Sequence, residues 1–160
     1  MTDDARQRAI ALWEEGSNAL LSGDVDEAIS LFTTSLEVVE TAEGYTFRGW
    51  AYSFQGRIEE AIEECRRAIE VDPDYGNPYN DIGCYLVQLG KGDEAPGWFE
   101  KAKRAPRYEP RHFPWINLGR WHMARGDVAE AIAEFHGALG AHPGDPVALA
   151  FLEKLKLAVN

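Results

Sequence analysis

The sequence predicts an all-α fold of antiparallel helix pairs, four pairs followed by a closing helix. Two observations carry this. A segment recurs four times, as GDVDEAISLFTTSL from Gly23, GRIEEAIEECRRAI from Gly56, GKGDEAPGWFEKAK from Gly90 and GDVAEAIAEFHGAL from Gly126. The leading glycines lie 33, 34 and 36 residues apart, and Ala28, Ala61, Ala95 and Ala131 keep the same spacings. A fixed period of this length marks a supersecondary unit that buries its apolar face only against the next copy. The second observation is a small residue seven positions before each leading glycine: Gly16, Gly49, Gly83 and Gly119. Each unit thus reads as a helix holding a small residue, a turn glycine with positive φ, and a second helix with an apolar stripe.

The units span about 9–41, 42–75, 76–109 and 112–145, within a single domain over 1–160. In the first, helical periodicity runs up to Gly23 and resumes through Ala28 and Phe32. The second repeats this around Gly56, with Ala61 and Cys65 on the stripe. In the third, Pro96 interrupts the pattern unless Asp93 caps the helix; Pro96 then falls in the first turn, where its missing N–H has no helical partner to lose. The fourth carries Trp115, Leu118 and Gly119 ahead of the turn, and Ala131 and Phe135 after it. Over 146–160, Val147, Leu149, Leu152, Leu155 and Val159 recur at helical spacing, with Lys154 and Lys156 on the polar side. A half-polar helix of this kind covers the open end of a repeat stack.

This pattern resembles the tetratricopeptide repeat (TPR) family, whose signature is W-x2-L-G-x2-Y, then A-x3-F, then P. The fourth unit matches with Trp115, Leu118, Gly119, Ala131, Phe135 and Pro143, and places His122 where Tyr is usual. The third matches with Tyr79, Ile82, Gly83, Leu86, Ala95 and Phe99. The second carries Tyr45, Gly49, Tyr52, Ala61 and Pro73, but has Arg48 in an aliphatic place and Cys65 in the Phe place. The first carries Leu12, Gly16, Ala19, Ala28 and Phe32, with Glu15 in the aliphatic place. The resemblance covers about 9–145 and implies a right-handed superhelix, a TPR solenoid of about nine helices. Trp115 and Phe135 then fill the layer between paired helices, and His122 is expected as a buried, hydrogen-bonded core residue.

Composition narrows the function classes. The chain has 160 residues, 45% hydrophobic, with a net charge of −11, which disfavours nucleic acid and anionic membranes as partners. Cys65 and Cys84 are too few for a disulfide framework and read as reduced thiols. No apolar run approaches the ~20 residues that span a bilayer, and the start MTDDARQR lacks a signal-peptide pattern, so a cytoplasmic location is expected.

No catalytic set emerges, and neither an enzyme, a cofactor nor a metal is expected. The glycine-rich stretch from Gly90 has Tyr85 and Gly92 where a phosphate loop needs glycine and Ser or Thr. The histidines His112, His122, His136 and His142 include no i, i+4 pair. Cys65 reads as a core filler and Cys84 as a groove residue with no identifiable base. The run Glu59, Glu60, Glu63 and Glu64 reads as a solvated face.

Residues 101–125 hold seven basic residues against Glu109 alone, a net of +6 in an otherwise acidic chain. Lys101, Lys103, Arg104, Arg107 and Arg111 sit in or before a Pro-punctuated linker two residues longer than the family's usual connection. Three alternatives are open: charge balancing, docking of an acidic partner or a second copy, and RNA contact assisted by Tyr108 and Phe113, which the overall charge opposes.

In the family the first helix of each pair lines a concave surface that binds an extended peptide or a partner helix. The resemblance places Trp13, Glu14, Ser17 and Leu21 there from the first unit, and Thr46, Phe47, Trp50 and Phe54 from the second. The third supplies Asn80, Asp81, Cys84 and Gln88, and the fourth Phe113, Ile116, Asn117 and Arg120. Among them, Trp13, Ser17, Phe47, Trp50, Asn80, Asp81, Cys84, Phe113, Asn117 and Arg120 form the candidate partner-binding groove. Where some TPR domains clamp acidic chaperone tails with Lys, Arg and Asn, this chain holds Trp13, Ser17, Phe47, Asn77 and Asp81, so that clamp is absent. The expected function is a protein-interaction module for a neutral to basic peptide or helix with apolar anchors. The alternative is a self-assembling scaffold, a homo-oligomer that docks through the groove and the basic linker 101–111.

Overall fold

A computed structural model describes residues 2–159, and side chains up to 157. Among the described residues there are nine α-helices: α1 Asp3–Leu21, α2 Val25–Val38, α3 Ala42–Phe54, α4 Ile58–Val71, α5 Asn77–Gln88, α6 Ala95–Arg104, α7 Phe113–Arg125, α8 Val128–Ala141 and α9 Pro146–Val159. Contacts are densest within the pairs α1/α2, α3/α4, α5/α6 and α7/α8, and next densest between sequential pairs, as in a one-dimensional stack. No helix among the described residues is long and apolar enough to cross a membrane.

Local chemistry sets the helix starts. Thr2, Asp24 and Thr41 accept N–H groups of Ala5, Glu27 and Gly44 at 3.3, 3.3 and 3.0 Å. Pro78, Pro96 and Pro114 occupy the first turns of α5, α6 and α7. Asp93 does not cap α6, contrary to expectation. A single 3-10 turn, Gly92–Glu94, precedes it and Glu94 takes the cap position, which still leaves Pro96 in the first turn. The four turn glycines have φ of 74 to 87°, as expected, and Gly144 (φ 79°) makes the same turn before α9.

The helices of a pair meet ring against glycine. Phe32, Phe99 and Phe135 lie on Gly16, Gly83 and Gly119, so closely that a Cβ there would sit 2.7, 2.5 and 2.5 Å from the ring. Trp115 lies on Gly137 in the same way, at 2.1 Å. The second pair lacks the ring. Its Gly49 approaches the Ala61 carbonyl and Glu64 Cβ, and the fully buried Cys65 fills the Phe place.

Five residues depart from the sequence-based picture. Glu64 is buried, unlike the solvated Glu59, Glu60 and Glu63, because Arg48 reaches across from α3 to pair with it. His122 is largely buried, but its Nδ1 has no hydrogen-bond partner among the described residues; Asp127 stands 3.6 Å away. Ile116 faces the core with Phe135 and Ala138 and does not line the concave surface. In α9 the inward stripe is Ala148, Phe151, Leu152 and Leu155, while Val147 and Leu149 are exposed; the side chain of Val159 lies outside the described residues. Phe151 stacks on Phe135 at 4.8 Å and 7°, which fixes α9 to the last pair.

Candidate functional site

An aromatic ladder runs along the first helices of the first two pairs. Trp13 stacks on Phe47 at 5.2 Å and 12°, Phe47 meets Trp50 at 6.4 Å, and Trp50 meets Phe54 at 5.5 Å. Phe47 also contacts the core ring Phe32, so it is both groove and packing. The ladder borders a cavity of about 360 Å³ whose lining includes Thr46, Phe47, Trp50, Asn80, Asp81 and Phe113 from the expected set.

Asn77, expected at one of the clamp positions, also lines it, and the rest of the lining, Tyr75, Tyr108 and Pro110, was not expected as groove. The long linker before α7 supplies much of it. It folds back on the entry to α5, where the Gly76 N–H donates to the Arg107 carbonyl at 2.9 Å and the Arg107 N–H donates to the Asp74 carbonyl at 3.0 Å. Tyr108 lies so tightly over Gly76 that a Cβ there would sit 2.2 Å from its ring. The signals in the sequence were the two extra linker residues and the glycine opposite an aromatic. Tyr108 is buried, so it offers no platform for stacking RNA bases.

Polar groups in the wall are unevenly satisfied. Asn117 donates to Asn80 Oδ1 at 2.9 Å, linking α7 to α5. Ser17 and Thr46 donate back to the carbonyls of Trp13 and Ala42 at 2.9 and 2.7 Å. Asn77 Oδ1 is buried without a partner among the described residues. Asp81 forms no ion pair among the described residues, and burial pushes its carboxyl up to about 7, with Asn80 alone offsetting that rise. A desolvated carboxylate without a cation is costly, and a cation brought beside it would relieve that cost.

Cys84, Asn117 and Arg120 line a neighbouring cavity of about 240 Å³ with Val87, Phe99, Trp121 and Ala124. Burial, reinforced by the Asp81 charge, pushes the Cys84 thiol up to about 12, so it stays protonated and is a poor nucleophile. Arg120 extends over the Phe151 ring of α9 at 5.3 Å. Trp13 and Ser17 line neither cavity.

The basic residues do not form one free patch. Lys103 is almost buried, paired with Glu100 at 3.0 Å and Glu134 at 2.7 Å, over the Trp115 ring. Arg107 bridges Asp72 at 2.6 Å and Glu43 at 2.7 Å. Arg111 donates to the Lys103 and Pro106 carbonyls, both at 3.2 Å. Lys101 lies over Trp98 at 4.5 Å, and with Arg104 it borders a separate cavity of about 530 Å³ with Tyr79, Trp98 and Arg66. Charge balance thus accounts for Lys103 and Arg107.

Spacing in sequence hid one cluster of ligating groups. The fold brings His112, His142 and Asp145 together, with one potential ligand atom from each within 4.8 Å of the others.

The tetratricopeptide repeat family model matches residues 42–75, one unit of the repeat. Heat shock protein STI1 of Saccharomyces cerevisiae is 31% identical over 91 residues, which are 56% of this chain; the match spans only 15% of that protein's length. Among solved structures, pilF of Pseudomonas aeruginosa superposes with a TM-score of 0.86 at 22% identity, covering 98% of this chain and 70% of that one. The second TPR of Spaghetti (RPAP3), bound to the HSP90 peptide SRMEEVD, superposes with a TM-score of 0.58 at 28% identity, covering 62% of this chain and 94% of that one.

Proposed function

Since the chain is a tetratricopeptide-repeat protein, we propose that it acts by binding and not by turnover, holding an extended peptide of a partner protein in the cavity between α3, α5 and the linker before α7. The ligand is neutral to basic, with apolar anchors and one cationic side chain. The observation that carries this is Asp81: a half-buried carboxylate with no counter-ion among the described residues, in a cavity walled by Phe47, Trp50, Tyr75 and Tyr108. Lysine or arginine from a ligand supplies the charge, aromatic walls supply contact area, and Asn77 Oδ1, which has no partner among the described residues, accepts a peptide N–H. The peptide-bound Spaghetti domain supports the general role, and its acidic ligand marks a contrast in charge.

Self-assembly through the groove is the second outcome to be tested. The linker contributes less to it than its charge suggests, because Lys103 and Arg107 are already paired. The test uses labelled peptides with one lysine between apolar residues, and their glutamate counterparts, against wild type and a Trp50→Ala/Asp81→Lys variant of unchanged helicity. Binding of the lysine series by wild type, lost in the variant, is the expected result. No binding of either series, with sedimentation showing concentration-dependent association, would replace this function with self-assembly.

A further inference from the structure

We propose that His112, His142 and Asp145 form a site for a divalent transition metal, with zinc as the reference ion, that clamps the closing helix α9 to the last helix pair. The three residues come from three different junctions: His112 precedes α7, His142 follows α8 and Asp145 precedes α9. His112 Nε2 and His142 Nδ1 lie 3.5 and 3.4 Å from the same atom, Asp145 Oδ1. Those separations are long for hydrogen bonds to a carboxylate. They match the roughly 3.3–3.4 Å between neighbouring ligands at a tetrahedral ion whose bonds are about 2.0–2.1 Å.

The carboxylate is already oriented for this task. Asp145 is buried, and its other oxygen, Oδ2, accepts the Ala148 N–H at 2.8 Å, leaving Oδ1 turned toward the two imidazoles. A hydrogen-bonded outer partner of this kind is what holds a ligating carboxylate in place. The main chain is equally fixed: the His142 N–H donates to Ala138, the Asp145 N–H to His142, and the Ile116 N–H to the His112 carbonyl, at 2.8, 3.2 and 3.2 Å. The imidazoles stack at 4.6 Å and 23°, so aiming both lone pairs at one ion requires one ring to turn. His142 can do so because its side chain is 54% exposed, which also gives the ion a way in; His112, at 12%, is the fixed partner.

Two imidazoles and one carboxylate suit zinc, copper or nickel and not the hard ions magnesium and calcium. Three protein ligands leave one position for water, an open site weaker than a four-ligand structural centre. Because the ligands belong to α7, α8 and α9 junctions, metal binding is linked to docking of α9, and the ion stabilises the folded chain.

The test is thermal unfolding of the full chain after chelator treatment, with zinc chloride or magnesium chloride added at pH 7.5. Zinc at about a hundred times its Kd should raise the wild-type Tm by roughly 5–10 °C, and magnesium should not. His142→Ala should unfold like wild type without metal, since the side chain is mostly exposed, and should lose the zinc shift. Cobalt should give wild type visible ligand-field bands that His142→Ala lacks. Equal zinc shifts in wild type and His142→Ala, or no zinc binding by wild type in calorimetry, would overturn the site.

Discussion

Arg48 and Glu64 are joined by two hydrogen bonds inside the second helix pair, Nε to Oε2 at 2.7 Å and Nη2 to Oε1 at 3.0 Å. Their side chains are 13% and 7% exposed. The Arg48 Nη1 also donates to Thr33 Oγ1 at 3.2 Å, which ties α3 to α2 as well as to α4. This pair stands where the repeat pattern calls for an aliphatic residue, in the one unit whose core ring is replaced by Cys65. Removing one partner strands the other charge, so Glu64→Ala should cost about 3–5 kcal/mol in urea unfolding. Glu63→Ala, on the exposed side of the same helix, should stay within about 0.5 kcal/mol. An Arg48→Met/Glu64→Leu double variant should recover most of the loss, because two apolar side chains need no counter-ion.

The pair also shows what the sequence could and could not tell. Helix number, turn positions and ring-on-glycine contacts follow from local spacing, so Gly23, Gly119 and Phe135 were legible. Glu64 was not, because a charge run looks the same whether or not one member turns inward toward an arginine sixteen residues away. The groove divides in the same way. Phe47, Trp50 and Asp81 follow from their place in the unit. Tyr108 and Pro110 reach the cavity through a linker whose path depends on pairing with Tyr75 and Gly76. The meeting of His112 with His142 and Asp145 depends on how α9 docks, which no spacing encodes.

Phe135 is fully buried, stacked on Phe151 and seated on Gly119. Phe135→Ala should lose about 3–5 kcal/mol by denaturant unfolding. Gly119→Val should also destabilise the fold, since its first added carbon already falls 2.5 Å from the Phe135 ring. Gly97→Ala is the control: nothing lies within 4 Å of its Cβ position, and it should be neutral or slightly stabilising.

Charge in the groove should exclude acidic tails. Asp81 is the carboxylate in the lining of the cavity, beside the phenols of Tyr75 and Tyr108, and Glu43 lies beyond the linker, engaged with Arg107. A peptide such as SRMEEVD would bring two glutamates, an aspartate and a terminal carboxylate to a cavity whose lining, among the described residues, holds no Lys, Arg or His. Fluorescence anisotropy should show no saturable binding of it at low micromolar protein. Saturable binding there would contradict the ligand charge proposed for this chain.

Asp81 also gives the groove a pH signature. Its carboxyl titrates near 3.9 in an unfolded chain and at about 7 in the fold, raised by burial. The folded chain therefore holds a proton that the unfolded chain has released between about pH 4 and 7. Stability must fall as pH rises through that window, then level off above it. Asp81→Asn has no proton to lose, so its Tm should exceed that of wild type at pH 8 and approach it at pH 4. A cationic ligand adds the opposite slope. It needs the ionised carboxylate, so below pH 7 binding must first remove the proton, and affinity should fall by up to about tenfold per pH unit. Titrating a lysine-bearing peptide at pH 6, 7 and 8 should thus show affinity rising with pH in wild type and flat in Asp81→Asn. A flat wild-type profile would mean that the ligand's charge does not meet Asp81, and the cation would have to be removed from the description of the site.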